Sequence, residues 1–148
     1  MVLMVNNGID MSDFLQKWLD QVKMVSTELT PTEQEKIALA GGKVFQEKLE
    51  KVNREKHYSH HNDKVYGHAA DHIDVMNSDV DGEHNGSVTV GWQNRYHAMN
   101  MMRLNDGYKG YQADHFVTNI VQDREIQAQV LKAESDEYQK MLDKAGDE

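Results

Sequence analysis

The stretch 87–121 most constrains the fold, because two strand-type patterns, a glycine turn and a helical pattern follow one another within it. In residues 87–92, apolar side chains alternate with small or polar ones, which is typical of a strand with one buried face. A two-residue polar connection then leads into residues 95–104, where the sequence predicts a second strand and hence a hairpin. The turn at 105–107 ends that strand, because its glycine adopts the positive φ of a tight reversal.

A further strand is predicted at residues 73–76, after a short helical turn. The segment 77–86 is dense in Asp, Asn and Gly and is interpreted as the hairpin loop before residue 87. Asn77, Asp79 and Asp81 imitate the start of a calcium loop of the EF-hand type. The imitation fails at position twelve, where Val88 replaces the bidentate glutamate, and a strand follows where a helix should. A turn is therefore the better interpretation.

Two helices are predicted before these strands. Ser12 is a candidate N-cap for the first, and a capping box at residues 30–33, with proline at the first helical position, begins the second. The apolar stripe of the second extends to about Glu55. Gly41 and Gly42 inside it indicate either a weak or kinked helix or close backbone approach to a neighbouring element. The apolar residues of the first helix recur at helical spacing: Phe14, Leu15, Trp18, Leu19, Val22 and Val25.

The C-terminal part predicts one long helix, with Asp114 as its N-cap and apolar residues at helical spacing as far as Leu142. Its second half is strongly charged, with a thin apolar seam. This half either projects to pack against a partner subunit or forms a solvated tail. The predicted fold class is α+β, with a small antiparallel sheet of three to five strands packed by two N-terminal helices and the long C-terminal helix. Residues 1–148 form a single predicted domain, from which about 132–148 could project.

Composition excludes several classes of protein. The chain of 148 residues carries a net charge of -9, which argues against a protein that grips nucleic-acid phosphates. It has no cysteine, so it has neither disulfides nor thiolate metal sites. The short apolar start of the chain predicts neither a signal peptide nor a membrane span.

Histidines are the most conspicuous candidates for chemistry, since five of the eight lie between His57 and His72. His68 and His72 are four residues apart, so on a helix both rings could hold a metal, with Asp63 or Asp71 as an oxygen ligand. The HExxH arrangement is absent, because Ala69 stands where its glutamate would be. This cluster supports one alternative hypothesis, a metal-dependent hydrolase, although the spacing is common by chance.

Other motifs favour a structural or interaction protein, for which no cofactor is predicted. The sequence contains no GxxxxGK[ST], GxGxxG or GxSxG pattern. Its methionine-rich run is adaptable apolar surface, more typical of a core or subunit interface than of a cofactor site. The candidate interface residues are Met99, Met101, Met102, Tyr108, Tyr111, Tyr138 and Met141.

Several short segments, in order, resemble the tail-completion (tail-to-head joining) proteins of long-tailed bacteriophages. Residues 66–73 are similar to that family's G-x-L-x-D-S-I entry into its first strand, and residues 87–91 to its V-x-V-G strand. Tyr96 and Ala98 are similar to its Y-A strand. Residues 104–107, followed by 113–116, are similar to the turn into its C-terminal helix. The resemblance covers roughly residues 40–125; Tyr108 departs from the usual threonine.

The resemblance implies an α+β protomer that is no enzyme. Copies would form a ring, commonly hexameric, on the end of the tail tube and would bind the head-completion (stopper) protein. The protein would be made in the host cytoplasm and reside in the virion at the head–tail junction. DNA would pass through the ring without specific binding, which suits an acidic protein because like charges repel. A different neck or morphogenesis protein, such as the stopper itself, is a further alternative.

Overall fold

The computed structural model describes residues 12–13, 15–17, 19–20, 29–57 and 65–146. Its fold is mixed helix and sheet, and mostly helical. No helix within these ranges is long and apolar enough to cross a membrane. The elements are α1 (Pro31–His57), a 3-10 turn (Ala69–Asp71), β1 (Asp74–Met76), β2 (Thr89–Gly91), α2 (Arg95–Asp106), α3 (Phe116–Gln122) and α4 (Arg124–Gly146).

The described residues between 12 and 20 are helical, as predicted for the first helix, and Ser12 is already within the helix. Leu19 is 47 % exposed, so the predicted apolar stripe is not wholly buried. The other apolar residues of that stripe, except Leu15, lie outside the described residues: Phe14, Trp18, Val22 and Val25.

Helix α1 is the element on which most of the others pack. It begins at the predicted capping box, where the Thr30 amide donates to the Glu33 carboxylate at 2.8 Å and the Glu33 amide donates to Thr30 Oγ1 at 3.2 Å. These two bonds satisfy amides that have no partner within the helix. Along its length α1 contacts α4, both strands, the 3-10 turn and α3.

The two glycines of α1 lie where neighbouring elements approach its backbone. A Cβ at Gly42 would lie 3.1 Å from Val88 Cγ1 and 3.3 Å from Val75 Cγ1, both in the hairpin. A Cβ at Gly41 would lie 2.5 Å from Glu134 Oε1 on α4. α1 is one continuous helix through both positions, and these short distances support the interpretation of close approach.

The sheet is a single antiparallel hairpin in which Val75 pairs with Val90. Both strands lie inside predicted ranges, and residues 77–86 form the predicted turn. Asp79 organises this loop, because its Oδ1 accepts from the amides of Asp81 and Glu83, each at 2.9 Å. The prediction of three to five strands is wrong: the part of the chain that the structure describes contains two.

The predicted strand at 95–104 is instead helix α2. Asn94 begins it as the N-cap, with its side-chain oxygen accepting from the Tyr96 amide at 2.8 Å. The buried positions are His97, Met101 and Asn105, which recur every four residues on one helical face. Two of these three are polar, so the apolar residues alone do not reveal the helical period. Gly107 does end the element, at a φ of 85°.

The predicted long C-terminal helix is two helices. The predicted N-cap Asp114 is one residue too early, because the N-cap position is His115. Asp114 Oδ1 nevertheless accepts from the Phe116 amide at 3.0 Å. The break falls at Asp123, whose Oδ1 accepts from the amides of Glu125 at 2.9 Å and Ile126 at 3.1 Å. The Asp123 carboxylate therefore satisfies two of the first amides of α4, as an N-cap side chain does.

The main core lies between α1, Ile73 just before β1, α2 and α3. Phe116 in this core is fully buried. A smaller cluster joins Ile37 on α1 to Tyr138 on α4, with Met141 packed against it. The apolar seam of α4 therefore packs along α1 within the same chain as far as Met141, instead of projecting from residue 132. The members of the main core are Leu49, Ile73, Met101, Phe116 and Ile120.

Candidate functional site

Polar side chains surround a small cavity of about 100 Å³ between the end of α1, the 3-10 turn and α2. Asn53 and His97 are almost completely buried there, at 1 % and 3 % exposure. Buried polar groups are costly unless they are paired, so their contacts define what this region can do. The polar lining residues are Asn53, His57, His68, Tyr96, His97 and Asn100.

His97 ties α2 to the segment before the 3-10 turn. Its Nε2 lies 2.8 Å from the carbonyl oxygen of Tyr66. A carbonyl only accepts, so Nε2 carries the proton of this hydrogen bond. The His97 ring stacks on His72, with centroids 5.1 Å apart and planes 14° apart, while Tyr66 stacks on Tyr96 at 4.3 Å. This arrangement makes His97 a buried structural histidine.

His57 connects the last turn of α1 to the start of α3. Its Nε2 lies 2.6 Å from Oδ2 of Asp114, the carboxylate that also accepts from the Phe116 amide. The two atoms are in contact but do not form a hydrogen bond. The buried Nε2 forms no hydrogen bond with any described residue. Protonated His57 would form an ion pair here. Its ring also meets the edge of Phe116, with centroids 4.7 Å apart.

The two histidines proposed from sequence as metal ligands do not share a helical face. His68 and His72 flank the three-residue 3-10 turn as its N-cap and C-cap. Asp71, the proposed oxygen ligand, is hydrogen-bonded to Arg54, and this bond is the main cause that raises the pKa of the guanidinium. Within the described ranges no three His, Asp or Glu side chains converge on a metal position; Asp63 lies outside them.

A second region is the exposed surface of α2 and the turn that follows it. Tyr66, Tyr96, Met102, Tyr108 and Tyr111 are between 42 % and 65 % exposed, although all five are large and apolar or aromatic. In this turn the Tyr108 amide donates to the Tyr111 carbonyl at 3.2 Å, and the Tyr111 amide donates to the Tyr108 carbonyl at 2.7 Å. The backbone therefore fixes both tyrosines on one tight turn.

Arg103 joins this turn to α2. Its guanidinium carbon lies 4.7 Å from the centroid of the Tyr108 ring, which is cation–π geometry. Around this pair is an open cleft of about 310 Å³, which we call the tyrosine cleft. Its lining residues are Asn100, Arg103, Leu104, Tyr108 and Tyr111.

The seven interface residues predicted from sequence divide into three groups. Met101 and Tyr138 are buried within the chain, at 7 % and 6 % exposure, so neither is available to a partner. Met99 and Met141 are partly buried. Met102, Tyr108 and Tyr111 are exposed, Met102 on α2 and the two tyrosines on the turn that follows it.

Sequence reasoning missed Tyr96 and Arg103 as members of this surface. It placed Tyr96 in a strand, whereas the residue is in α2 and 46 % exposed. A helical interpretation would have revealed both residues, because Tyr96, Asn100 and Arg103 recur at the i, i+4, i+7 spacing of one helical face.

The largest electrostatic perturbation lies away from both regions, at Glu134 on α4. Burial raises the pKa of this carboxyl from 4.5 to about 7. The side chain lies against Gly41 of α1 and borders an apolar cleft of about 410 Å³ lined by residues such as Phe45, Ile120 and Leu131. The missing Cβ of Gly41 is what makes room for the carboxyl.

No protein-family model matches this chain, and searches of the curated proteins and of the solved structures find no match either.

Proposed function

We propose that this chain is a structural virion protein that terminates a phage tail tube and joins it to the head. Copies of the chain form a ring, in the manner of the hexameric tail-completion proteins that its sequence resembles. The observation that carries the proposal is the exposed aromatic surface of α2 and its turn. The ring's partners are the tail tube protein on one side and the head-completion protein on the other.

The composition of this surface supports an interface between protein molecules. Tyr66 stacks on Tyr96 at one end of it, and Arg103 lies over Tyr108 at the other. Tyrosine, methionine and arginine are enriched at the centres of protein interfaces, where a few such residues carry most of the binding energy.

The charge of the chain supports the same role. A net charge of -9 makes a ring of copies strongly negative. Such a ring repels the phosphate backbone, so DNA passes through its channel without being held. Passage without specific binding is what a junction between head and tail requires.

The alternative hypotheses have less support from the geometry. The metal-dependent hydrolase was inferred from His68 and His72, whose side chains flank a 3-10 turn instead of sharing a helical face. The stopper and other morphogenesis proteins would also use a surface of this kind. Only position in the particle separates them from a tail terminator.

Sedimentation velocity on the purified chain, alone and after mixing with tail tubes of its phage, tests the proposal. We expect the chain to bind tube ends as a ring, and a Tyr108→Ser, Tyr111→Ser double variant to associate at least about tenfold more weakly, since central aromatic residues contribute about 1.4 kcal/mol or more. Leu142→Ser is the matched control, because Leu142 is also exposed, at 43 %, but lies on α4, outside the surface of α2 and its turn.

A chain that never caps tail tubes would overturn the proposal, whether or not it associates with itself. Electron microscopy of the particle's neck with this chain labelled then separates the joining protein from the stopper. Label at the upper, head-proximal layer of the neck would assign the chain to the stopper instead.

A further inference from the structure

The loop between β1 and β2 presents an exposed apolar side chain at its tip. Val80 is 86 % exposed, the highest value among the large hydrophobic residues that the structure describes. Asp79 holds the loop in shape through two bonds to backbone amides and a third to Asn85 Nδ2 at 3.0 Å. Asp81 and Glu83 are both exposed next to Val80. The tip is therefore a preorganised apolar knob with an acidic rim.

The tyrosine cleft is also apolar, but the charged residues around it are basic. Leu104, Tyr108 and Tyr111 supply apolar wall, while Arg103 lies in the cleft and Lys109 is exposed on the turn between the two tyrosines. Its volume of about 310 Å³ is within the range of sites that enclose a small group, so a branched aliphatic side chain fits. An apolar knob rimmed by carboxylates is complementary to this cleft in both polarity and charge.

The knob and the cleft lie near opposite ends of α1. Gly86, at the end of the knob's loop, packs against Gln34 in the first turns of that helix. The cleft's helix, α2, meets α1 near its other end, where Asn53 donates to Met101. Gln34 and Asn53 are separated by roughly 28 Å along the helix, at about 1.5 Å per residue. These contacts place the knob's loop and the tyrosine cleft toward opposite ends of α1.

We infer that the Val80 knob of one copy inserts into the tyrosine cleft of the next copy, with Asp81 and Glu83 facing Arg103 and Lys109. This inference rests on the proposed function and names the contact by which copies join. Because two different patches meet, the interface is heterologous, and repeating it joins copies head to tail. A ring results when the rotation between neighbours closes.

Cysteine cross-linking tests the contact directly, since the chain has no cysteine of its own. Val80→Cys and Tyr111→Cys are made as separate variants with tags of different mass, mixed, and oxidised with copper phenanthroline and air. A disulfide requires Cα atoms within about 7 Å, so it forms only when the two positions meet. We expect mixed dimers, and a ladder of oligomers when both cysteines are in one chain.

Leu142→Cys replaces either partner as the matched control, and the mixed disulfide should exceed that background about tenfold if the contact is specific. Arg103→Glu should weaken association about tenfold, and adding Asp81→Arg should restore it, as expected for an interfacial charge pair. Cross-links of Val80→Cys with itself, or of Tyr111→Cys with itself, at equal yield would overturn the inference.

The outcomes separate the two proposals. Assembly in the ultracentrifuge without the mixed disulfide overturns this contact and leaves the joining role standing. The mixed disulfide in a chain that never binds tail tubes upholds the contact and overturns the virion role. A chain that neither assembles nor cross-links overturns both.

Discussion

The buried carboxyl of Glu134 makes a quantitative prediction about stability. Burial is the cause of its raised pKa, and the side chain lies against Gly41 beside an apolar cleft. Raising the pKa from 4.5 to about 7 means that the folded state disfavours the charged form. Protein stability is therefore unaffected by this group below pH 4.5, falls as the pH rises from 4.5 to 7, and stays reduced above pH 7.

The magnitude follows from the size of the shift. At about 1.36 kcal/mol per pKa unit, the full difference corresponds to ~3.4 kcal/mol. Because the side chain is partly exposed, solvent screening reduces the expected value to roughly 1–2 kcal/mol. Glu134→Gln keeps the shape and removes the charge, so we expect it to raise the free energy of unfolding by that amount at pH 8. At pH 4.5 the variant and the natural chain should be equally stable.

Urea denaturation of dilute protein, followed by circular dichroism at 222 nm between pH 4.5 and 8, measures this difference. Glu137→Gln is the matched control, because Glu137 lies one turn further along α4 and pairs with Lys140 at 4.0 Å on the surface. At no pH in this range should Glu137→Gln be more stable than the natural chain. If Glu134→Gln follows the same pH dependence as the natural chain, the carboxyl is solvated and the reasoning is refuted.

Two further predictions concern packing and capping. Gly42→Val should destabilise the chain by about 1–3 kcal/mol in urea melts, because its side chain would collide with Val75 and Val88; unchanged stability would show that the hairpin can move away. Asn105→Ala should cost about 1–3 kcal/mol, because the amides of Val117 and Thr118 lose the acceptor that Asn105 Oδ1 provides at 2.9 and 3.1 Å, and melts that match the natural chain would contradict this.

Local signals in the sequence predicted the elements that are stabilised by hydrogen bonds between residues close together in the chain. The capping box at Thr30 and Glu33 located the start of α1, and the Asp- and Gly-rich loop located the hairpin. In each case the deciding hydrogen bonds join residues a few positions apart. Such patterns are visible in the sequence without knowledge of the tertiary structure.

Helix α2 could not be recognised in this way, because its buried face is chosen by tertiary contacts. His97 can be buried because the Tyr66 carbonyl accepts a hydrogen bond from its Nε2, and Asn105 can be buried because it accepts from the first amides of α3. These partners are 31 and 12 residues away. Polar residues satisfied at such separations look like solvent-exposed positions in the sequence. The break at Asp123 was missed for a different reason, since apolar spacing continues across it.

The sequence analysis chose candidate interface residues by residue type alone, without showing which of them are exposed. Tyr108 and Tyr111 were identified and are exposed, whereas Met101 and Tyr138 were identified and are core residues. The same side chains serve cores and interfaces, so sequence alone does not distinguish the two uses. The position of Arg103 over Tyr108 depends on α2 being a helix, and it could not follow from a predicted strand.

The contact of Asn105 with α3 also has a consequence for the order of folding. Asp114 accepts from the first amide of α3, but the amides of Val117 and Thr118 are satisfied by Asn105 of α2 and lack this acceptor until α2 has formed and docked. We therefore expect the first turn of α3 to be less stable whenever α2 is unfolded. The turn that carries Tyr108 and Tyr111 lies between them, so it takes its final shape only when both are in place.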